Sequence, residues 1–251
     1  MPLTFQSKSE ELVYRICKKS FLSLWSHPNP EGKAKGKELC DTLILCGNDI
    51  IIISVKESKP KDSGSIQLDW ERWSKVVIDE SAKQLFGAER WLNSQTSFVT
   101  PGGRTLELPP LRDRRLHRVA LALGNDGRMP HESGRDFGKG FVHVFDEMSF
   151  NVAMSELDTI SDFVEYLREK EKFIAEGGTI EMEGGEESLI AHYVTNSRSF
   201  PSGAISFIVG ANIWRELSNL EQHRLKKQAD TKSYAWDTLI EWLTDDLLQD
   251  R

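Results

Sequence analysis

Apolar positions along this chain switch between a helical spacing and the near-continuous runs of buried strands, and the switches predict its elements. Ser7 and Glu10 form a capping-box pattern, and Leu12, Val13, Ile16 and Cys17 then recur at helical spacing, predicting a first helix over 9–20. His27-Pro28-Asn29-Pro30 breaks the chain, and the Gly/Lys stretch 32–37 reads as a loop. Two β-rich runs, ELCDTLILC and DIIIISVK, flank Gly47-Asn48 and predict a hairpin whose strands are both buried. After a polar loop over 58–67, Trp70, Trp73, Val77, Leu85, Ala88 and Leu92 mark a helix to about residue 92, with Ser81 and Gln84 polar on its inward stripe. LHRVALAL (116–123) and FVHVF (141–145) predict two further strands around a Gly-rich loop, and SFNVAM predicts a short strand after Asp146-Glu147. Amphipathic helices are predicted over 157–175 and 234–248 and a charged helix over 214–228, with a Gly/Glu-rich stretch and a mixed region following the first.

This order describes an α/β fold with a mixed central sheet flanked by helices. The chain divides into a core over 1–124 and an α+β extension with a helical tail over 125–251, packed on the same core. At 251 residues, 39% hydrophobic and 28% charged, the chain has the composition of a soluble globular protein with enough apolar surface for one substantial core. Its longest apolar run, around Ile50–Ile53, is too short to span a bilayer, and MPLTFQSKSEE lacks the pattern of a signal peptide. A cytoplasmic location without membrane contact is therefore expected, and Cys17, Cys40 and Cys46 fit it as free thiols. No CxxC, HxH or HExxH spacing points to zinc. The net charge of −7 argues mildly against a sequence-independent nucleic-acid coat. Its distribution changes that picture, because 8–37 and 104–118 are basic while acids concentrate in 145–187. Such a gradient can present one phosphate-attracting face, although solvated faces explain each run equally well.

Asp41 heads the first strand of the hairpin, and Ile52, Ser54 and Lys56 share one face of the second because strand side chains alternate. A lysine closing an apolar strand calls for a partner, since burying an unpaired ammonium costs several kcal/mol. A carboxylate and a metal-held water across the hairpin would supply one, and phosphodiester hydrolysis uses that arrangement. The plainer alternative is that Asp41 is a turn residue and Lys56 snorkels outward; on these two residues alone it is the stronger reading.

The wider pattern is an acid-bearing helix (Glu11), then Asp41, then residue-x-Lys over 54–56, then a helix. It resembles the PD-(D/E)xK superfamily of restriction and repair nucleases over roughly residues 9–123. The stretches GKELCD, IIISVK and WERWSKVVIDESAKQLFGAERWL resemble a bacterial group within that superfamily. The resemblance implies a restriction-endonuclease-like core and a nuclease that needs Mg²⁺ or Mn²⁺ and cuts DNA or RNA, with a role in bacterial defence. It makes Asp41 the central metal ligand, Lys56 the catalytic lysine and Glu11 the helix-borne acid, with Glu10 as its rival. Gln84 matches a polar residue placed against the scissile phosphate; a core glutamine bonded to backbone is an equal alternative. Ser54 stands where the pattern expects Asp or Glu, and a hydroxyl is a weak ligand for a hard cation. Glu38 and Glu57 are the replacement acids, Glu38 the better because alternation turns Glu57 away from Lys56. A catalytically silent nuclease fold, serving as an adaptor or sensor, is the second expectation. In the extension, His143 reads as a core histidine before a general base, and Asp158 and Asp162 as helix-end acids before metal ligands. Trp214, Trp236 and Trp242 suit docking on the core, on a partner protein or on a second copy in a homodimer.

Overall fold

The structure, a computed structural model, describes residues 5–32, 38–100, 102–203 and 205–249. Most of the predicted Gly/Lys loop, residues 33–37, lies outside the described residues. The first half holds α1 (Lys8–Trp25), β1 (Ser26–Pro28), β2 (Thr42–Cys46), β3 (Asp49–Glu57), α2 (Ile66–Ser74), α3 (Glu80–Asn93), β4 (Ser97–Val99), β5 (Thr105–Glu107) and β6 (Arg115–Leu123). The second holds β7 (Gly134–Asp136), β8 (Phe141–Phe145), α4 (Glu147–Glu156), α5 (Ile160–Ala175), β9 (Thr179–Met182), α6 (Glu186–Thr195) and β10 (Ser206–Val209), then α7 (Ile213–Asn219), α8 (Glu221–Asp230) and α9 (Tyr234–Gln249).

The fold is α/β, built on a mixed six-stranded sheet of order β1-β2-β3-β6-β8-β7 flanked by helices. The β2–β3 hairpin is antiparallel, whereas β3, β6 and β8 run parallel, so the chain crosses over through α2–α3 to enter β6. Strands β7 and β8, from beyond residue 124, lie in the same sheet as β2 and β3. Both sheet faces are covered, which explains the unbroken apolar runs in the sequence. Ile51, Ile53, Val55, Val119 and Leu121 pack against α1, α4, α5 and α6 on one face. Leu43, Ile50, Ile52, Ala120 and Ala122 pack against α2 and α3 on the other. Among the described residues no helix is long and apolar enough to cross a membrane.

Two local features set the site's frame. Gly47 turns the hairpin at φ +59°, a conformation that glycine adopts without steric penalty. Between α2 and α3 the helix widens into a single π-turn, Lys75–Asp79. The buried residues explain it: Ser74, Ile78, Ala82 and Phe86 recur at intervals of four, slower than the 3.6-residue α period. A wider turn absorbs the drift and keeps α3's apolar face on the sheet.

SFNVAM is a correction to the sequence reading, because it lies in helix α4. The Asp146 side chain accepts the Ser149 N–H at 2.7 Å and the Ser149 hydroxyl accepts the Asp146 N–H at 2.9 Å, a reciprocal cap that starts the helix.

Candidate active site at the hairpin junction

Asp41 sits just ahead of β2, where the ladder to β3 ends. Its N–H donates to the Ile53 carbonyl at 3.1 Å, and its carbonyl accepts from the Asn29 N–H at 3.1 Å. With the backbone fixed on both sides, its carboxylate accepts the Val55 N–H at 2.6 Å. The register pairs Thr42 with Ile53, so one step further sets Asp41 opposite Ser54. Strand alternation then gives Asp41, Ser54 and Lys56 one common face, the face covered by α3.

Gln84 reaches down from α3 to this face. The Ser54 hydroxyl donates to its amide oxygen at 2.7 Å, and Gln84 is hydrogen-bonded to the Asp41 carboxylate as well. The glutamine thus ties the helix to both hairpin strands. Its polar position on a buried stripe is explained by these contacts to side chains, not to backbone.

Acids approach from two other segments. Ser7 caps α1, its hydroxyl accepting the Glu10 N–H at 3.2 Å, and the Glu10 carboxylate in that first turn accepts the Gln6 N–H at 2.8 Å. The Gln6 side-chain amide donates to Glu38 at 2.7 Å, so Gln6 links the two glutamates. Burial raises the Asp41 carboxyl above the ordinary aspartate range; the Val55 N–H and the Lys56 charge oppose this, and Glu10 adds to it. Burial also raises Glu38, against its bond from Gln6, with Asp41 and Glu10 adding and Lys56 opposing. The site is therefore three mutually repelling carboxylates answered by one half-buried lysine.

Glu11 does not join this group. Its carboxylate turns to solvent and pairs with Arg15 at 2.6 Å, one turn along the helix. The buried stripe of α1 runs Glu10, Val13, Tyr14, Cys17 and Phe21, so helix periodicity aims Glu10 at the hairpin and Glu11 away. Glu57 faces the opposite side from Lys56 and accepts the Ser9 hydroxyl. Gln6 was not singled out from the sequence, and no pattern in the sequence marks it.

Beside the acids lies an open cavity of about 780 Å³ lined by Glu38, Leu39, Gln84, Arg90, Trp91 and Gln95, among others. Glu38 and Gln84 belong both to the polar cluster and to this wall. A substrate in the cavity would meet the cluster through them.

The extension's candidates fall elsewhere. His143 is fully buried on β8 and its ring donates to Glu171 at 2.9 Å; burial lowers its pKa to about 4, so it is a neutral core histidine at neutral pH. Asp162, in the first turn of α5, pairs with Arg198, and Asp158 precedes that helix's Thr159 cap. Trp214 packs on the core, whereas Trp236 and Trp242 on α9 are 67% and 64% exposed.

Compared with family models, curated proteins and solved structures, the chain matches none.

Proposed function

We propose that this chain is a metal-dependent endonuclease hydrolysing phosphodiester bonds in DNA or RNA on a restriction-endonuclease-like core. The observation supporting it most is the hairpin register, which gathers Asp41, Ser54 and Lys56 under Gln84 beside an open cavity. The donors are oxygens, the choice of a hard cation such as Mg²⁺ or Mn²⁺. Among the described residues no three His, Cys, Asp or Glu side chains stand at coordination spacing. Mg²⁺ is commonly held by one or two carboxylates with several waters, so Asp41 with Glu10 or Glu38 is a sufficient donor set. A bound ion would polarise the phosphate and lower the pKa of its water. In that setting Lys56 holds the attacking water or balances charge on the phosphorane, and Gln84 positions the scissile phosphate. A DNA substrate and a place in bacterial defence rest on the family resemblance.

Two observations favour a second reading, a catalytically silent nuclease fold that binds a partner protein or nucleic acid. Ser54 stands in place of the expected acid and its hydroxyl is committed to Gln84, and α9 exposes two tryptophans. A plasmid-nicking assay with Mg²⁺ or Mn²⁺ against EDTA separates the two. The nuclease reading expects metal-dependent nicking that Asp41→Asn and Lys56→Ala each abolish. Nicking that survives both substitutions removes the mechanism, and no nicking with either metal favours the adaptor.

A further inference from the structure

A surface helix of a folded domain ordinarily turns its apolar stripe to the core and its polar stripe to water. Helix α9 lies on α1 the other way round. Its polar ridge faces the protein: Thr244 is buried, and Tyr234, Asp237 and Glu241 are half-buried. The Glu241 carboxylate accepts the Ser23 N–H at 2.9 Å and pairs with Lys18 at 2.8 Å, and the Lys19 ammonium stands 5.8 Å from the Tyr234 ring. The apolar ridge faces outward, with Leu239, Ile240 and Leu243 exposed beside Trp236 and Trp242. At about 100° per residue these five side chains fall within about 160° of the helix, one unbroken apolar face.

Charge and size choose what covers it. Over residues 235–243 every exposed side chain is uncharged, Ala235 and Thr238 included, while Asp237 and Glu241 belong to the ridge turned toward α1. A nucleic acid or a cationic partner protein would find no charge here to pair with. A helix made for a membrane surface carries Lys or Arg along its polar side, where this stretch carries acids. A second copy needs no complementary charge. Two identical faces meet without repulsion only when neither carries net charge, and this one carries none on a protein of net charge −7. Two tryptophans exposed to this degree offer on the order of 300 Å² per copy. The three aliphatic side chains bring a symmetric pair to the order of 1,000 Å² in total, the threshold of a specific interface.

We propose that α9 is a self-association face, through which two copies meet as an antiparallel, twofold pair. The stripe spans 236–243 and is centred between Leu239 and Ile240, so Trp236 packs against Leu243 in both directions and each contact occurs twice. The pairing stands apart from the reading of the hairpin site, because it requires neither metal nor turnover.

The test is sedimentation velocity of the full chain in EDTA. A contact of this size is micromolar in strength once the entropy of association is met, so about 1–100 µM spans the equilibrium. The mass is expected to rise to twice that of the chain at the upper end. Truncating a central tryptophan weakens an interface tenfold or more at each occurrence, so Trp236→Glu should raise the dissociation constant at least about hundredfold. Trp236 is exposed, so this variant is expected to keep the fold. Leu225→Glu adds the same charge at an exposed leucine of α8 and should leave the constant within about twofold, since a charge outside the contact is screened. A dimer that Trp236→Glu leaves intact, or one that Leu225→Glu weakens equally, overturns the proposal. So does a parent that stays monomeric throughout; flotation of that monomer with phosphatidylcholine vesicles would give the face to lipid instead.

Discussion

Replacing Asp41 with asparagine exchanges one oxygen for an amide nitrogen and removes one charge from a residue that is only 4% exposed. The carboxylate accepts the Val55 N–H at 2.6 Å. A hydrogen bond to a charged acceptor contributes about 1.5–3 kcal/mol and a neutral one about 0.5–1.5, so the exchange weakens this contact by about 1 kcal/mol. Burial disfavours the charged form, and Glu10 adds repulsion; both effects vanish with the charge. These opposing changes should leave Asp41→Asn within about 1 kcal/mol of the parent, since the asparagine carbonyl still accepts from Val55. Asp41→Ala removes the acceptor and leaves a buried N–H unpaired, which costs about 1–3 kcal/mol beyond the Asn variant. For a chain this long, each kcal/mol moves Tm by roughly 2–4 °C. Thermal and urea unfolding in EDTA measure the stabilities, and nicking with Mg²⁺ measures activity on the same preparations. The expected result is an Asn variant that is stable and inactive and an Ala variant that is destabilised and inactive. An Asn variant as unstable as the Ala variant would mean that the charge itself holds the strand junction, and that Asp41 is structural. An Asn variant that still cleaves would separate Asp41 from the chemistry.

Two further outcomes follow from charge pairs away from the site. Lys170 is fully buried and donates to Glu186 and, at 2.5 Å, to the Ser133 carbonyl, so Lys170→Met should cost about 3–5 kcal/mol by stranding the Glu186 carboxylate. Lys170→Met/Glu186→Leu should recover much of that loss in urea unfolding; no recovery would show that the pair itself, and not a stranded charge, sets the stability. Burial of Asp49 works to raise its pKa, but the two-pronged Arg115 contact at 2.6 and 2.8 Å and the His117 bond outweigh it and hold the carboxyl well below the usual range. A depressed carboxyl contributes stability above its unfolded pKa of about 4 and loses it as pH falls through the folded value. Asp49→Asn should therefore be less stable than the parent at pH 7, by on the order of 1 kcal/mol, and the gap should close progressively below about pH 4. A gap that stays constant down to pH 2 would refute the assignment.

The long β-branched runs made the hairpin, β6 and β8 legible, because a sheet covered on both faces demands them. Alternation along β3 was enough to group Ser54 with Lys56, and the stripe of α3 was enough to aim Gln84 inward. Glu10 and Glu11 were harder to separate, because Leu12 fits an apolar stripe by composition yet is 44% exposed. The stripe through Val13, Tyr14 and Cys17 selects Glu10 instead. Helix α6 had no legible period, since seven of its ten residues are buried and a helix enclosed all round shows no polar face. Strands β1 and β7 are three residues each, too short to carry a pattern. The Gln6–Glu38 contact spans 32 positions, and nothing local to either residue announces it.

The widened turn at Lys75–Asp79 has a consequence for how this helix tolerates changes in length. Its hydrogen bonds close one residue later than those of an α-helix, so the segment holds one residue more than the same turn wound normally. Deleting exposed Val76 would let the turn rewind as ordinary helix, with both flanks keeping their orientation. The same deletion at Lys83, inside regular α3, would rotate Gln84 about 100° relative to the residues preceding it. A single codon could thus be lost from the coding sequence at one point of this helix with Gln84 still over Ser54, and a few residues further on its loss would swing that amide away.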